Sequence, residues 1–277
     1  MKRQINKSII ENLTNSNLWK KHLNDDCLCK KVFLAIRNDV IDFYHKGGRL
    51  FEFDKNGFTT HKKYASVIEW KSNYLKEKDL PSLKIIPDFE SGYSQIKENC
   101  SNYSGNEAIG VSDIYHKYSY LSKSNIVVLD IEISFESINE SGRQDRIDIL
   151  LFNKETKTLQ FVEAKHFSNP EIWSESKPAV IKQIEGYEKQ IEQKEKKIIT
   201  EFANYIQDIN TLFNISLPKP VKIEKEVTLL VFGFDKDQKS GRLDKLNLKN
   251  SKDKEIKKYL IGNIKKLVIE NLWNTKM

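Results

Sequence analysis

The stretch that most constrains this chain is Arg146-Ile-Asp148-Ile-Leu-Leu-Phe-Asn153, followed by Leu159-Gln-Phe-Val-Glu163-Ala-Lys165. Both segments are rich in Ile, Leu, Val and Phe, and the polar residues 154–158 between them read as a turn, so the pair predicts a β-hairpin. Side chains alternate along a strand, which puts Glu163 and Lys165 on one face. A hairpin turning about the Glu155–Thr156 bond sets Asp148 directly across from Glu163, with Cβ atoms about 5 Å apart. An Asp, a Glu and a Lys then meet on one patch of a sheet whose other face is apolar. Two carboxylates at that separation repel each other unless a cation lies between them. Hard oxygen donors with room left for water suit magnesium.

Downstream, Gln183-Ile-Glu-Gly-Tyr187 lies in a helical pattern, and its two ends, four residues apart, share a helix face. Asp148 on one strand, Glu163-x-Lys165 on the next and Gln-x-x-x-Tyr on the following helix resemble the PD-(D/E)XK nuclease superfamily. The last element is similar to the mark of its RecB-like branch. The resemblance covers roughly residues 100 to 235. It implies an α/β fold with a restriction-endonuclease-like αβββαβ core, a mixed sheet, and phosphodiester hydrolysis with Mg²⁺ or Mn²⁺. It further implies that Asp148, Glu163 and the Ala164 carbonyl hold the metal. Lys165 would reach the attacking water or the phosphate, with a pKa lowered by neighbouring positive charge. Gln183 and Tyr187 are expected to bind a phosphate or to hold Lys165 and the water in place, and Tyr187 also fits the core stripe of its helix.

Glu132 is a further candidate ligand. Along residues 127–135, Val127, Leu129, Ile131, Ile133 and Phe135 face one way and Asp130, Glu132 and Ser134 the other. A turn near Ser141 would make Glu132 and Ser134 neighbours of Asp148 and Leu150, although an exposed edge charge fits Glu132 as well. His166, next to Lys165, is expected on the opposite face in a structural role.

The rest of the pattern divides the chain in three. Residues 1–88 read as an accessory α+β module: an amphipathic helix over 6–23, then a small antiparallel meander from Val32 to Tyr64. Residues 89–248 hold the nuclease-like core, with a helix from Asn106, three strands, a helical run from Lys177 that is either continuous or broken near Glu195, and a strand from Val227. Residues 249–277 carry eight lysines against Asp253, Glu255 and Glu270, and read as a basic terminal helix. With a net charge of +7 the whole chain leans toward polyanions. Gly47-Gly48-Arg49 sits between strand patterns and reads as a hairpin turn, and no phosphate-loop motif occurs.

Three cysteines cannot supply the four ligands of an iron-sulfur cluster. The absence of a long apolar run and of a signal-like start sets the expectation of a cytoplasmic protein with no membrane partner. The expected partner is nucleic acid, DNA more than RNA. The expected role is a stand-alone endonuclease in restriction, repair or antiviral defence. The alternative is a subunit on the same fold that binds nucleic acid or protein with little catalysis. The first module leaves room for a partner protein or for a homo-oligomer.

Overall fold

The structure, a computed structural model, describes residues 2–67, 70–82, 86–135, 146–173, 178–246 and 248–276. The fold is α/β, with one antiparallel and one mixed sheet. The chain forms two compact units. One comprises residues 2–112 and 204–216, the other residues 113–203 and 217–277 with Met1.

The first of these units opens with α1 (Lys7–Asn15), capped by the Asn6 side chain, which accepts from Ser8 N–H. The helix read over residues 6–23 stops at Asn15. A π-helical turn (Trp19–Leu23) and α2 (Asn24–Leu28) carry the chain on. Next come strands β1 (Phe33–Ile36), β2 (Ile41–His45), β3 (Gly48–Asp54), β4 (Gly57–His61) and β5 (Tyr74–Lys76), paired in that order. Lys46 and Gly47, both with positive φ, make the tight β2–β3 turn that the glycine pair announced. Phenylalanines fill the core: Phe53 and Phe58 lie 4.6 Å apart, Phe51 and Phe89 5.3 Å. Helix α3 (Tyr93–Asn102) covers the meander through contacts with β3 and β2.

The other unit follows the order that the sequence suggested. Helix α4 (Asn106–Tyr118), whose first half belongs to the preceding unit, leads to β6 (Ile126–Ser134), β7 (Arg146–Asn153) and β8 (Thr158–His166). Helix α5 (Ala179–Phe213) is one helix with non-helical backbone at Lys194, beside the break point expected at Glu195. Its last ten residues join the preceding unit. Strands β9 (Lys222–Ile223), β10 (Thr228–Phe232) and β11 (Lys258–Ile261) complete a mixed sheet ordered β11-β10-β8-β7-β6, with β9 beside β8. The β8–β10 and β10–β11 pairs are parallel, and β6–β7–β8 is antiparallel.

The C-terminal segment differs from its expectation. Instead of one basic helix over 249–277, it holds edge strand β11, a 3₁₀ turn at Ile264–Lys266 and a five-residue helix at Ile269–Trp273. It belongs to the same compact unit as the mixed sheet, and a boundary between units falls near residue 112. The turn expected at Ser141-Gly142, and Arg143, lie outside the described residues. Among the described residues no helix is long and apolar enough to cross a membrane.

Candidate active site

The β7–β8 hairpin sets the geometry. Its ladder runs from Asn153↔Thr158 to Ile149↔Val162, symmetric about the Glu155–Thr156 bond, and then stops. Continuing the register puts Asp148 opposite Glu163, as the spacing required. Beyond that point β8 pairs only on its other edge, with Leu229↔Glu163, Ala164↔Leu230 and Lys165↔Val231 on β10. The Ala164 N–H, released from the β7 ladder, donates instead to Asp148 Oδ2 at 2.7 Å. A strand residue points its N–H and C=O to the same side, so the Ala164 carbonyl also faces the gap beside Asp148.

Two opposed carboxylates and an ammonium close this gap. Lys165 Nζ lies 3.0 Å from Glu163 Oε1 and 2.7 Å from Glu171 Oε2. Glu163 and Lys165 are both buried, and Asp148 is half-buried. Burial, followed by the charge of Glu163, raises the Asp148 pKa well above the usual carboxylate range. The Ala164 N–H and Lys165 oppose that rise, and Glu132 adds to it. Burial pulls the Lys165 pKa down, but Glu163, Glu171 and Asp148 outweigh it and hold the ammonium protonated. Carboxylates dominate the surroundings of Lys165 here, whereas the lowered pKa expected from the sequence belongs to a site that holds a metal ion.

Glu132 comes beside Asp148. The β6–β7 pairs Ile131↔Ile149 and Ile133↔Ile147 bracket Glu132 and Asp148. Ser134, however, pairs with Arg146, and Asp130 rather than Ser134 faces Leu150. The strands run antiparallel, so Asp130 and Ser134 fall on opposite sides of the Glu132–Asp148 pair, and a bulge between Val128 and Asp130 shifts only the start of β6. Glu132 holds a left-handed backbone, φ +50°, and its carboxylate pairs with Arg146 at 3.5 Å. A positive φ inside a strand is strained for such a residue, and strain of this kind gathers at functional sites.

Helix α5 packs on the face that carries the site. Tyr187 is buried, its ring is 6.0 Å from Phe135, and Phe135 is 5.4 Å from Phe161, two residues before Glu163. The Tyr187 hydroxyl donates to the Arg146 carbonyl at 2.9 Å, which pins the start of β7 two residues from Asp148. Tyr187 therefore braces the site strand. Gln183, one turn nearer the helix start, has its side-chain oxygen buried and without a hydrogen-bond partner among the described residues. His166 packs away from the site, with its ring 5.5 Å from Phe232 and its Nδ1 accepting from Ser168 N–H.

Glu171 is the residue that the sequence reading missed. It sits in a 3₁₀ turn, Pro170–Ile172, whose start is capped by the Asn169 side chain accepting from Glu171 N–H at 2.9 Å. Ile172 is buried, Trp173 Nε1 donates to the Phe167 carbonyl, and the Arg242 guanidinium lies 4.0 Å over the Trp173 ring. The turn is thus held on both sides. Its signal was legible: Asn-Pro-Glu directly after a strand is a cap, a first-turn proline and an acid.

Among the described residues no group of three or more His, Cys, Asp or Glu side chains is assembled as a metal site. The available donors are the opposed Asp148 and Glu163, Glu132 beside them, and the Ala164 carbonyl. Comparisons with protein-family models, with curated proteins and with solved structures find no match to this chain.

Proposed function

We propose that this chain is a metal-dependent nuclease of the PD-(D/E)XK type with a restriction-endonuclease-like core, acting on DNA more than RNA. One observation carries the reading. Asp148 and Glu163 oppose each other where the β7–β8 ladder ends, with Lys165 against Glu163 and the Ala164 carbonyl aimed into the same gap. The element order α4, β6, β7, β8, α5, β10 supports it.

The donor set fits a hard divalent cation. Burial and mutual repulsion oppose ionisation of Asp148, and a cation between the carboxylates would reverse that. Asp148, Glu163 and the Ala164 carbonyl would hold Mg²⁺ or Mn²⁺, with Glu132 within reach as a further donor. Such an ion neutralises charge on the phosphate and lowers the pKa of a bound water. Lys165, which contacts Glu163 and Glu171, would act as a hydrogen-bond donor and positive charge toward the attacking water or a phosphate oxygen. Glu171 would keep the ammonium in place were Glu163 to hold the cation. Gln183 offers an unused amide oxygen, and Tyr187 fixes the strand that bears Asp148.

The test is direct. Purified protein is incubated with supercoiled plasmid, single-stranded DNA and RNA, with Mg²⁺ or Mn²⁺ and with chelator. Metal-dependent cleavage that disappears in Glu163→Gln supports the proposal. Intact substrates under both metals would overturn it and favour a binding subunit on the same fold.

A further inference from the structure

The unit formed by residues 2–112 and 204–216 carries a second surface with a chemical signature of its own. The Arg49 guanidinium lies 5.4 Å from the Tyr74 ring centre, and Tyr74 meets His61 edge to face at 5.5 Å. His61 meets Tyr64 at 5.4 Å, Tyr64 meets Tyr103 at 6.2 Å, and the Lys63 ammonium lies 5.4 Å from the Tyr103 ring centre. Six side chains, from β3, β4, the turn after β4, β5 and the residue that caps α3, form one unbroken line. Neighbouring strands bring them together, since His61 pairs with Tyr74 across β4 and β5.

The line is anchored below and open above. The Tyr64 hydroxyl and the Cys100 sulfur both lie over Gly48, where a Cβ would stand 2.9 and 2.6 Å from them. Tyr74 and Tyr103, by contrast, are 46% and 59% exposed. Lys63 is exposed beside them, and neighbouring Lys62 is fixed by a 2.9 Å bond to the Trp70 carbonyl. Arg49 is already shared between Asp42 and Glu52, so Lys62 and Lys63 carry the outward charge.

Exposed aromatic faces interleaved with cations suit a ligand that has flat rings and negative charges in alternation. Every nucleobase has a face to stack, and every linking phosphate suits an ammonium. In a duplex the base faces are already stacked on one another, so only an unpaired strand can use such a surface. Protein-docking patches are also rich in aromatic residues, but their centres are depleted in lysine, whereas here the Lys63 ammonium lies over the Tyr103 ring. We propose that this surface binds single-stranded nucleic acid, with bases stacked on Tyr74 and Tyr103 and phosphates held by Lys62 and Lys63. The proposal does not rest on the nuclease reading, because none of these residues belongs to the unit that holds Asp148, Glu163 and Lys165.

The full chain, in chelator, is titrated against a labelled oligothymidylate of about 15 nucleotides, with oligouridylate and a DNA duplex of equal length as further probes. The expected order is single strand over duplex, and the two single strands together show whether the sugar matters. The pair Tyr74→Ala, Tyr103→Ala should weaken binding about tenfold or more, and Tyr74→Phe, Tyr103→Phe should retain it. The pair Lys62→Gln, Lys63→Gln should flatten the salt dependence by about 0.7 log units per lost contact. The lysine pair also guards against a tyrosine variant that fails to fold. Parent-like affinity in the alanine pair, loss in the phenylalanine pair, equal binding of duplex, or an unchanged salt slope in the lysine pair would overturn the proposal.

Discussion

Replacing Lys165 by methionine removes the ammonium from a buried site and keeps most of the side-chain volume. The Glu163 and Lys165 side chains are 2% and 8% exposed, and their Oε1–Nζ distance is 3.0 Å. Deleting one partner of so deep a pair leaves an uncompensated charge, at a cost of about 3–5 kcal/mol. The bond to Glu171 adds little, since that side chain is 39% exposed and turns to water when released. Uptake of a proton by one carboxyl limits the loss. Asp148 already has a raised pKa, through burial first and the Glu163 charge second. A carboxyl whose folded pKa is raised contributes stability in full below about pH 4, and that contribution is lost as pH rises through the folded value. Without the ammonium this loss deepens, so the Lys165→Met deficit is largest near pH ~8 and shrinks toward pH ~5, by at most about 1.4 kcal/mol per pH unit for one proton. Urea denaturation of both chains across that range measures it. A deficit below about 1 kcal/mol at pH ~8, of the size that an exposed pair gives, would refute the reasoning. So would a deficit that does not change with pH.

Gly233 has φ +84°, and a Cβ there would stand 2.2 Å from His166 Nε2, so Gly233→Ala should cost about 2–5 kcal/mol from strain and clash together. A parent-like urea midpoint would show that the His166 ring can move aside. Tyr187→Phe removes the donor from the Arg146 carbonyl and should cost about 1–2 kcal/mol, read by denaturant unfolding; no loss would mean that the hydroxyl does not brace β7. Burial raises the Asp208 pKa to about 6, with the Ile5 N–H bond opposing the rise. Its stability contribution is therefore present below about pH 4 and lost as pH rises through about 6, by about 1 kcal/mol after discounting for its half-exposed position. Melting temperature across that range should fall in the parent chain and fall less in Asp208→Asn, and equal slopes would count against the assignment.

The parts of this protein that rest on local rules were legible in the chain. The β7–β8 register follows from turn length and a side-chain period of two, so Asp148 opposite Glu163, with Lys165 on the same face, required no tertiary information. The α5 stripe through Ile184, Tyr187 and Ile191 and the Lys46-Gly47 turn were readable for the same reason. What the tertiary structure decided lies where distant segments meet. Strand β11 is a strand because β10 offers it a parallel edge, and the period of a lysine-rich segment carries no trace of that partner. The register of β6 on β7 puts Glu132 beside Asp148 and Ser134 opposite Arg146, and that register is set by the pairing of two strands, not by alternation along one. Glu163, on the same strand, does most to hold the Lys165 ammonium protonated, but its second partner, Glu171, reaches it from a turn beyond the strand. Short-range periodicity fixes which residues share a face, whereas the charges that surround a buried group depend on which elements pack against it.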